Sequence, residues 1–593
     1  MKIVKSIGLF IFIGGFFLFN ASFFLADYRL TAEHVNTKFS DKKEAKLFLA
    51  NAKSLIDQNI PSNFTFVSKL NDVFSAVNDK QIKIYSFTDE ELNTLVSLNT
   101  EKFSISTIDS AFNRSDEITA FKNKSLKDYG SSMDGQTFRS KEELKSHLLD
   151  ITDKIKKYGT LNQFGFDRYQ IKDLKYSLTK AATLSPVKSN PILFLFLTFG
   201  LCILGAMLYI LPKITLPPGI KNNGIFFNAM KNVGWLGILT GTWLIAFYIL
   251  LYFYPEYMTN WIIMVDPISM MLNGNEAGRF FLYGFLYTLC ILVMGVRMII
   301  VYRHSKYQIL RTCSVMFFQT AFAFLLPEIL IRLHKPYFDF KNIWPLDYTF
   351  FFDYRLDELI KSGTLGIFML GWGIALIIIA VPVLVYFFGK RWYCSWVCGC
   401  GGLAETIGDP YRQLSNKSLK AWKIERWMIH GVLVFAIVMT AGVLYTYFTK
   451  SSWFLFFDSY SLREIYGALI GAGFAGVVGT GFYPFMGNRV WCRFGCPLAA
   501  YLGFVQRFKS RFRITTNGGQ CISCGNCSTY CEMGIDVRWY AQRGQNIVRS
   551  SCVGCGVCSS VCPRGVLNLE VKDEAGRFGK AILIGNNNVK LVD

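Results

Sequence analysis

Cys521-Ile522-Ser523-Cys524-Gly525-Asn526-Cys527-Ser528-Thr529-Tyr530-Cys531 and Cys552-Val553-Gly554-Cys555-Gly556-Val557-Cys558-Ser559-Ser560-Val561-Cys562-Pro563 are two copies of one pattern, Cys-x2-Cys-x2-Cys-x3-Cys. Three thiolates this close together cap three irons of one [4Fe–4S] cube, and the fourth cysteine reaches across to the other cube. The spacing assigns Cys521, Cys524, Cys527 and Cys562 to one cluster. It assigns Cys531, Cys552, Cys555 and Cys558 to a second. Zinc sites instead pair Cys-x2-Cys knuckles across a longer gap, and disulfide frameworks belong to small secreted chains. The first copy ends Cys531-Glu532 where the second ends Cys562-Pro563. The proline shapes a turn and is not a ligand.

Upstream, the 593-residue chain is 52% hydrophobic, with a mean hydropathy of +0.29. Its apolar residues gather in runs close to the ~20 residues that cross a bilayer as a helix. Eight such runs lie at about 6–25, 191–211, 233–254, 280–301, 312–331, 364–388, 427–448 and 465–487. The first follows Lys2 and Lys5 and reads as a retained signal anchor, since no small-residue cleavage site precedes Asp27. The fifth carries Pro327 and Glu328, and an intramembrane acid should face protein or water.

Cytoplasmic loops are enriched in Lys and Arg. Loop 302–311 has Arg303, Lys306 and Arg311 and no acid, and loop 212–231 has Lys213, Lys221 and Lys231 and no acid. Loop 389–426 is also strongly basic, whereas loop 255–279 has Glu256, Asp266 and Glu276 against Arg279 alone. These charges predict a multi-pass protein of a bacterial cytoplasmic membrane with both termini inside and residues 26–190 outside, in the periplasm. None of the sixteen cysteines falls in 26–190, and thirteen fall on predicted cytoplasmic segments from Cys394 onward, where thiols stay reduced. Cys202, Cys290 and Cys313 read as packing residues of the membrane runs. The formal charge of +21 then reflects inner loops and a basic tail. Anionic lipid headgroups are a simpler partner for that charge than nucleic acid.

The predicted fold is a polytopic α-helical membrane protein with an extracytoplasmic α+β domain and a C-terminal ferredoxin-like domain. The boundaries are 1–25 for the anchor, 26–190 for the outer domain, 191–510 for the bundle and 511–593 for the cluster domain. Within the outer domain, Gln81-Ile82-Lys83-Ile84-Tyr85-Ser86-Phe87 alternates like a strand.

A second repeat lies inside the bundle. Arg391-Trp392-Tyr393-Cys394-Ser395-Trp396-Val397-Cys398-Gly399 follows the sixth run, and Arg489-Val490-Trp491-Cys492-Arg493-Phe494-Gly495-Cys496-Pro497 follows the eighth. Both read Arg-x-aromatic-Cys-x3-Cys. The likeness continues from Leu403 to Arg412 against Leu498 to Arg507, with Cys400-Gly401-Gly402 extra in the first copy. Cys-x3-Cys on a helical turn would put both sulfurs on one face. Cys394, Cys398, Cys492 and Cys496 could then surround a further iron–sulfur cluster or another thiophilic metal. The alternative is a pair of tight turns with inert buried thiols.

With these motifs in place, residues 364–570 resemble the NosR/NapH group of polytopic iron–sulfur membrane proteins, which have paired Cys-x3-Cys-Pro motifs before a two-cluster domain. Cys492-x3-Cys496-Pro497 follows that pattern in full, and Cys394-x3-Cys398-Gly399 lacks the proline. The N-terminal outer domain makes the layout closer to the NosR type. The Ser/Thr-Gly-Ala-Ser/Thr motif that carries covalent FMN in that type does not occur in 26–190, and no Cys-x2-Cys-His haem motif occurs in the chain. The resemblance implies electron relay between a cytoplasmic ferredoxin-like donor or the quinol pool and a periplasmic reductase system, nitrous oxide reductase first. A redox-sensing regulator and a metal-centre maturation reductase are the alternatives. Glu328 is a candidate for proton handling near a quinol, or a partner for Arg332.

Overall fold

The computed structural model describes residues 1–99, 103–111, 117–138, 140–219, 234–450, 453–454, 457–571, 582–585 and 588–591. Lys221 and Lys231, on which part of the loop-charge argument rests, lie outside these residues. Among the described residues, eight helices are long and apolar enough to cross a membrane: Lys2–Ser22, Pro191–Thr215, Trp235–Phe253, Arg279–Val301, Lys306–Arg332, Gly363–Phe388, Leu419–Thr449 and Ser459–Gly481. They match the eight sequence runs in order. The seventh helix begins eight residues before its apolar run, because Ser418 caps it by accepting from the Ala421 amide at 3.2 Å.

The chain divides into two compact units. One comprises Asn20–Pro191 with Pro255–Met264. It is mostly helical around a small antiparallel sheet in which Asp27–Arg29 lies between Asn59–Ile60 and Thr183–Leu184. The 255–264 segment is tied into this unit by Asn260 Nδ2 donating to the Ser22 carbonyl at 2.8 Å and by Lys175 with Glu256 at 3.4 Å. Gln81–Tyr85, expected to be extended, is the last part of the helix Asn63–Tyr85. That helix buries Phe66, Leu70, Val73, Phe74 and Val77 along one face. The 3.6-residue period of this long stripe outweighs a short alternation at its end.

The other unit holds the membrane helices and the C-terminal cysteine-rich module. Arg513–Thr516 pairs antiparallel with Leu567–Glu570 and closes the module at its two ends. One continuous core joins the module to the bundle. It runs from Val381 and Val385 through Trp491 and Leu498 to Phe512, Ile514, Ile535 and Val553. The sixth and eighth spans, which precede the duplicated motifs, both contain π-helical stretches, Leu376–Ala380 and Gly467–Val478.

Candidate functional site

The two cysteine runs build two separate cavities. Cys521, Cys524, Cys527 and Cys562 line the first, with Arg538 and Arg564 at its edge. Cys531, Cys552, Cys555 and Cys558 line the second, among Ile514, Ile535 and Ile547. Each fourth cysteine thus lies with the three of the opposite run. Local geometry explains the repeat: Gly525 and Gly556 adopt φ of 78° and 74° and start the short helices Asn526–Thr529 and Val557–Ser560. Such angles suit glycine, and the turns bring Cys527 and Cys558 inward.

The donor sets fit iron–sulfur cubes. Each cavity offers four sulfurs, and backbone amides donate to them. Val566 N lies 3.4 Å from Cys562 Sγ, and the amides of Met533 and Ile535 donate to Cys531. Burial pushes Cys527 and Cys552 up to about 11, so a metal that takes up the thiolate is favoured there. The cavities differ in access: Cys524 is exposed and Cys521 half-buried, whereas Cys552 and Cys558 are buried.

The second cavity is held against the bundle by polar bonds to its loop. Tyr307 Oη donates to the Gly554 carbonyl at 2.7 Å, Gln308 Nε2 to the Cys555 carbonyl at 2.8 Å and Ser395 Oγ to the Val553 carbonyl at 2.7 Å. Beside it lies a buried charge network. Arg412 bonds Glu532 at 2.5 Å, Asp409 at 2.7 Å and Glu405. Arg489 meets Glu405 at 2.7 Å and Glu532 at 3.0 Å, Arg311 meets Glu405 at 2.6 Å, and Arg297 meets Asp409 at 2.7 Å. Burial alone would raise Glu405, but Arg311, Arg412 and Arg489 outweigh it and hold its carboxyl well below the ordinary range. Glu405, Glu532 and Cys555 present ligand atoms within 4.8 Å of one another. The arginines already occupy both carboxylates, so this is an ion-pair network and not a hard-metal site. Glu532 stands where the other run has proline, and its carboxylate is the reason: it ties the module to Arg412, Arg489 and Asn488.

The duplicated motifs converge as well. Cys394, Cys398, Cys492 and Cys496 are all buried in one cluster of the core. Neither motif is a continuous helical turn, as the sequence suggested. Cys394 ends the helix Arg391–Cys394, and Cys398, at ψ 134°, starts Gly399–Glu405. Cys496, at ψ 110°, caps Pro497–Lys509, its sulfur accepting from the Ala499 amide at 3.3 Å. Extended backbone at the second cysteine breaks the helix in both copies. Cys400, in the three-residue insertion, joins the group. Its interaction with Cys398, together with the Gly401 amide, outweighs burial and lowers the Cys398 thiol. The only trace of Cys400 in the sequence was a cysteine inside an unaligned insertion.

A cavity of about 710 Å³ extends through the bundle from this group. Cys400 and Cys492 line one part, Tyr283, Tyr287 and Tyr483 its walls, and Glu328 and Asn273 another part. Glu328 accepts from Asn273 Nδ2 at 2.5 Å. Arg332 instead donates to the Met271 carbonyl at 2.6 Å, so the expected Glu328–Arg332 pair is replaced by these two bonds. The tyrosine lining was missed at the sequence level, since aromatics are dense in every span.

The fold and these sites define a helical multi-pass membrane protein with ferredoxin-type iron–sulfur domains. A family model described as 4Fe-4S binding domain matches residues 371–420 and 468–515, covering both Cys-x3-Cys motifs. A model described as 4Fe-4S dicluster domain matches 520–567. The protein therefore carries two [4Fe–4S] clusters. Over 174 residues it is 29% identical to the putative electron transport protein YccM of Escherichia coli (strain K12), covering 28% of this chain and 47% of that protein. It is 28% identical over 172 residues to the methylamine utilization ferredoxin-type protein MauN of Paracoccus denitrificans (strain Pd 1222), covering 27% of this chain and 56% of MauN. The chain thus spans about half the length of these relatives. No solved structure matches.

Proposed function

We propose that this chain is a membrane-bound iron–sulfur electron-transfer protein relaying electrons between a cytoplasmic donor or the quinol pool and a periplasmic reductase system. One observation carries the reading. A single unit gathers an accessible four-cysteine cavity, an enclosed four-cysteine cavity and a buried thiol group, and the thiol group opens into a tyrosine-walled cavity in the bundle. Cys521, Cys524, Cys527 and Cys562 hold the accessible cluster, and Cys531, Cys552, Cys555 and Cys558 the enclosed one. Cys394, Cys398, Cys492 and Cys496 hold a third iron–sulfur cluster or another thiophilic metal. Bound there, the clusters supply one-electron carriers whose potentials follow charge, hydrogen bonding and burial around the sulfurs.

The chain's own residues supply the rest. Arg538 and Arg564 at the edge of the accessible cavity suit an acidic donor such as a ferredoxin. Arg489 Nη1 lies 3.5 Å from Cys492 Sγ and favours the more reduced, more negative state. The bundle cavity falls within the ~300–1,000 Å³ of small-molecule sites, and its aromatic walls suit a quinol ring. Glu328 offers a carboxylate for the quinol proton. The NosR-like layout supports nitrous oxide reductase as the first recipient to test, and the electron-transport and ferredoxin-type names of YccM and MauN support the relay itself.

The test is anaerobic purification followed by iron and sulfide assay and reduction by a soluble quinol. The expected iron content is about twelve per chain, falling to about eight in Cys394→Ser or Cys492→Ser if the third site is a [4Fe–4S] cube. A parent with about eight irons, unchanged in those variants, removes a third iron–sulfur cluster. Clusters that quinol leaves oxidised, while a reduced ferredoxin reduces them, remove the quinol branch.

A further inference from the structure

A second cavity, of about 500 Å³, is lined by residues at the start of the seventh span and shares Cys492 with the tyrosine-walled one. Its charge is one-sided. Lys390, Arg426, Arg507 and Arg549 line it. The one acid among the lining residues, Glu425, is engaged by Arg493 Nε at 3.0 Å. The Arg426 and Arg549 guanidiniums lie 5.5 and 4.9 Å from the centre of the same Trp422 ring. Glu425 also acts on Lys390 and Arg549, which leaves four lining cations against one lining carboxylate.

Lys390 is the second, independent observation. Only 1% of it is exposed, and it lines the cavity. Among the described residues no carboxylate oxygen lies within 4.0 Å of its ammonium and no hydrogen bond reaches it. Glu425, Cys394 and Cys552 act on its ammonium electrostatically without a hydrogen bond, and a phosphate oxygen that reaches it adds a charge-assisted one. Ser550 and Ser551 add hydroxyl donors. Two aromatics of the lining are exposed: Phe504 and Phe508 are 55% and 63% exposed. Trp427, on the same end of the span, is 75% exposed. Exposed aromatics at a span's end mark the headgroup level of a bilayer. Arginine forks with a lysine recognise phosphate esters.

We propose that this cavity binds the phosphate of an anionic phospholipid headgroup, with Lys390 as its buried cation and Arg426, Arg507 and Arg549 as its rim. The acyl chains leave over Phe504 and Phe508 into the bilayer. The bound phosphate sits beside Cys492 and Met533, which line the same cavity, so lipid binding also sets the local charge next to two of the thiol sites.

The full chain with its clusters, stripped of lipid in a neutral detergent, is titrated with dioctanoyl phosphatidylglycerol, dioctanoyl phosphatidylcholine and inorganic phosphate. Thermal protection and native mass spectrometry are the readouts. Phosphatidylglycerol is expected to bind saturably, with phosphatidylcholine and inorganic phosphate at least about tenfold weaker. Lys390→Gln is expected to weaken phosphatidylglycerol about tenfold or more, the scale of one lost charge-assisted hydrogen bond. The double variant Arg426→Gln/Arg507→Gln, at the exposed mouth, gives the same direction without a buried substitution. Equal binding of the two lipids overturns the proposal, as does undiminished binding in both variants. Inorganic phosphate protecting as well as phosphatidylglycerol overturns the lipid source.

Discussion

Replacing Glu532 by glutamine removes one charge from the buried network while nearly preserving its volume. In the parent, the Glu532 carboxylate meets Arg412 at 2.5 Å, Arg489 at 3.0 Å and Asn488 Nδ2 at 3.1 Å, and the residue is 0% exposed. The network of Arg297, Arg311, Arg412 and Arg489 with Glu405, Asp409 and Glu532 has four cations and three anions, a formal +1. The variant raises this to +2 in a buried setting. Gross attraction in each of the two arginine contacts is about 4 kcal/mol at an effective dielectric of 20, mostly offset by desolvation. Breaking one partner of such a buried set costs about 3–5 kcal/mol. The expected loss for Glu532→Gln is about 3 kcal/mol, since the amide keeps part of the hydrogen bonding. Urea titration of the detergent-solubilised holoprotein, followed through the visible absorbance of its clusters, measures it. The loss should persist in 1 M salt, because buried pairs are screened much less than surface ones. A variant within about 0.5 kcal/mol of the parent, the spread of ordinary surface substitutions, would refute the claim that this carboxylate fastens the module to the bundle.

Three further outcomes are expected. Alanine at Gly401 would drive its Cβ onto the Cys394 carbonyl oxygen; Gly401→Ala should alter the metal content of the inner thiol group, read by iron assay, and leave the dicluster spectrum unchanged. Burial would raise Asp409, but Arg297 and Arg412 outweigh it and hold its carboxyl below the ordinary value. A depressed carboxyl adds stability that is complete above its unfolded value of about 3.9 and lost as pH falls through its folded one. The stability difference between parent and Asp409→Asn should therefore be full at neutral pH and shrink below about pH 4 in urea titrations. Glu328→Gln should slow quinol oxidation with little effect on reduction by a ferredoxin, and equal quinol rates would remove its role as proton acceptor.

The dicluster arrangement was legible because ligand spacing is local: four sulfurs in eleven residues leave few geometries. The eight spans were legible because each depends only on its own composition. The thiol group was half visible, through the repeat around Cys394 and Cys492. Cys400 was not, because its approach to Cys398 depends on the fold of an insertion. Glu532 was visible only as a departure from proline. Its meaning lies in Arg412 and Arg489, which are distant in sequence and carry no pattern that ties them to it. Gln81–Phe87 was misread because seven residues of alternation cannot compete with a stripe from Phe66 to Val77 packed along a 23-residue helix.

The enclosed cavity has a consequence for biogenesis. Its loop is bonded by Tyr307, Gln308 and Ser395 and flanked by the charge network, and we expect a cluster to enter it less readily once the module has docked. The expected order is loading first and docking second, with the membrane helices already inserted while residues 511–571 remain free for the iron–sulfur assembly machinery. A chain that docks empty would be slower to gain its inner cluster but still able to fill the accessible cavity around Cys524. Such half-loaded protein, with about four irons in the module, is what iron starvation during synthesis should accumulate.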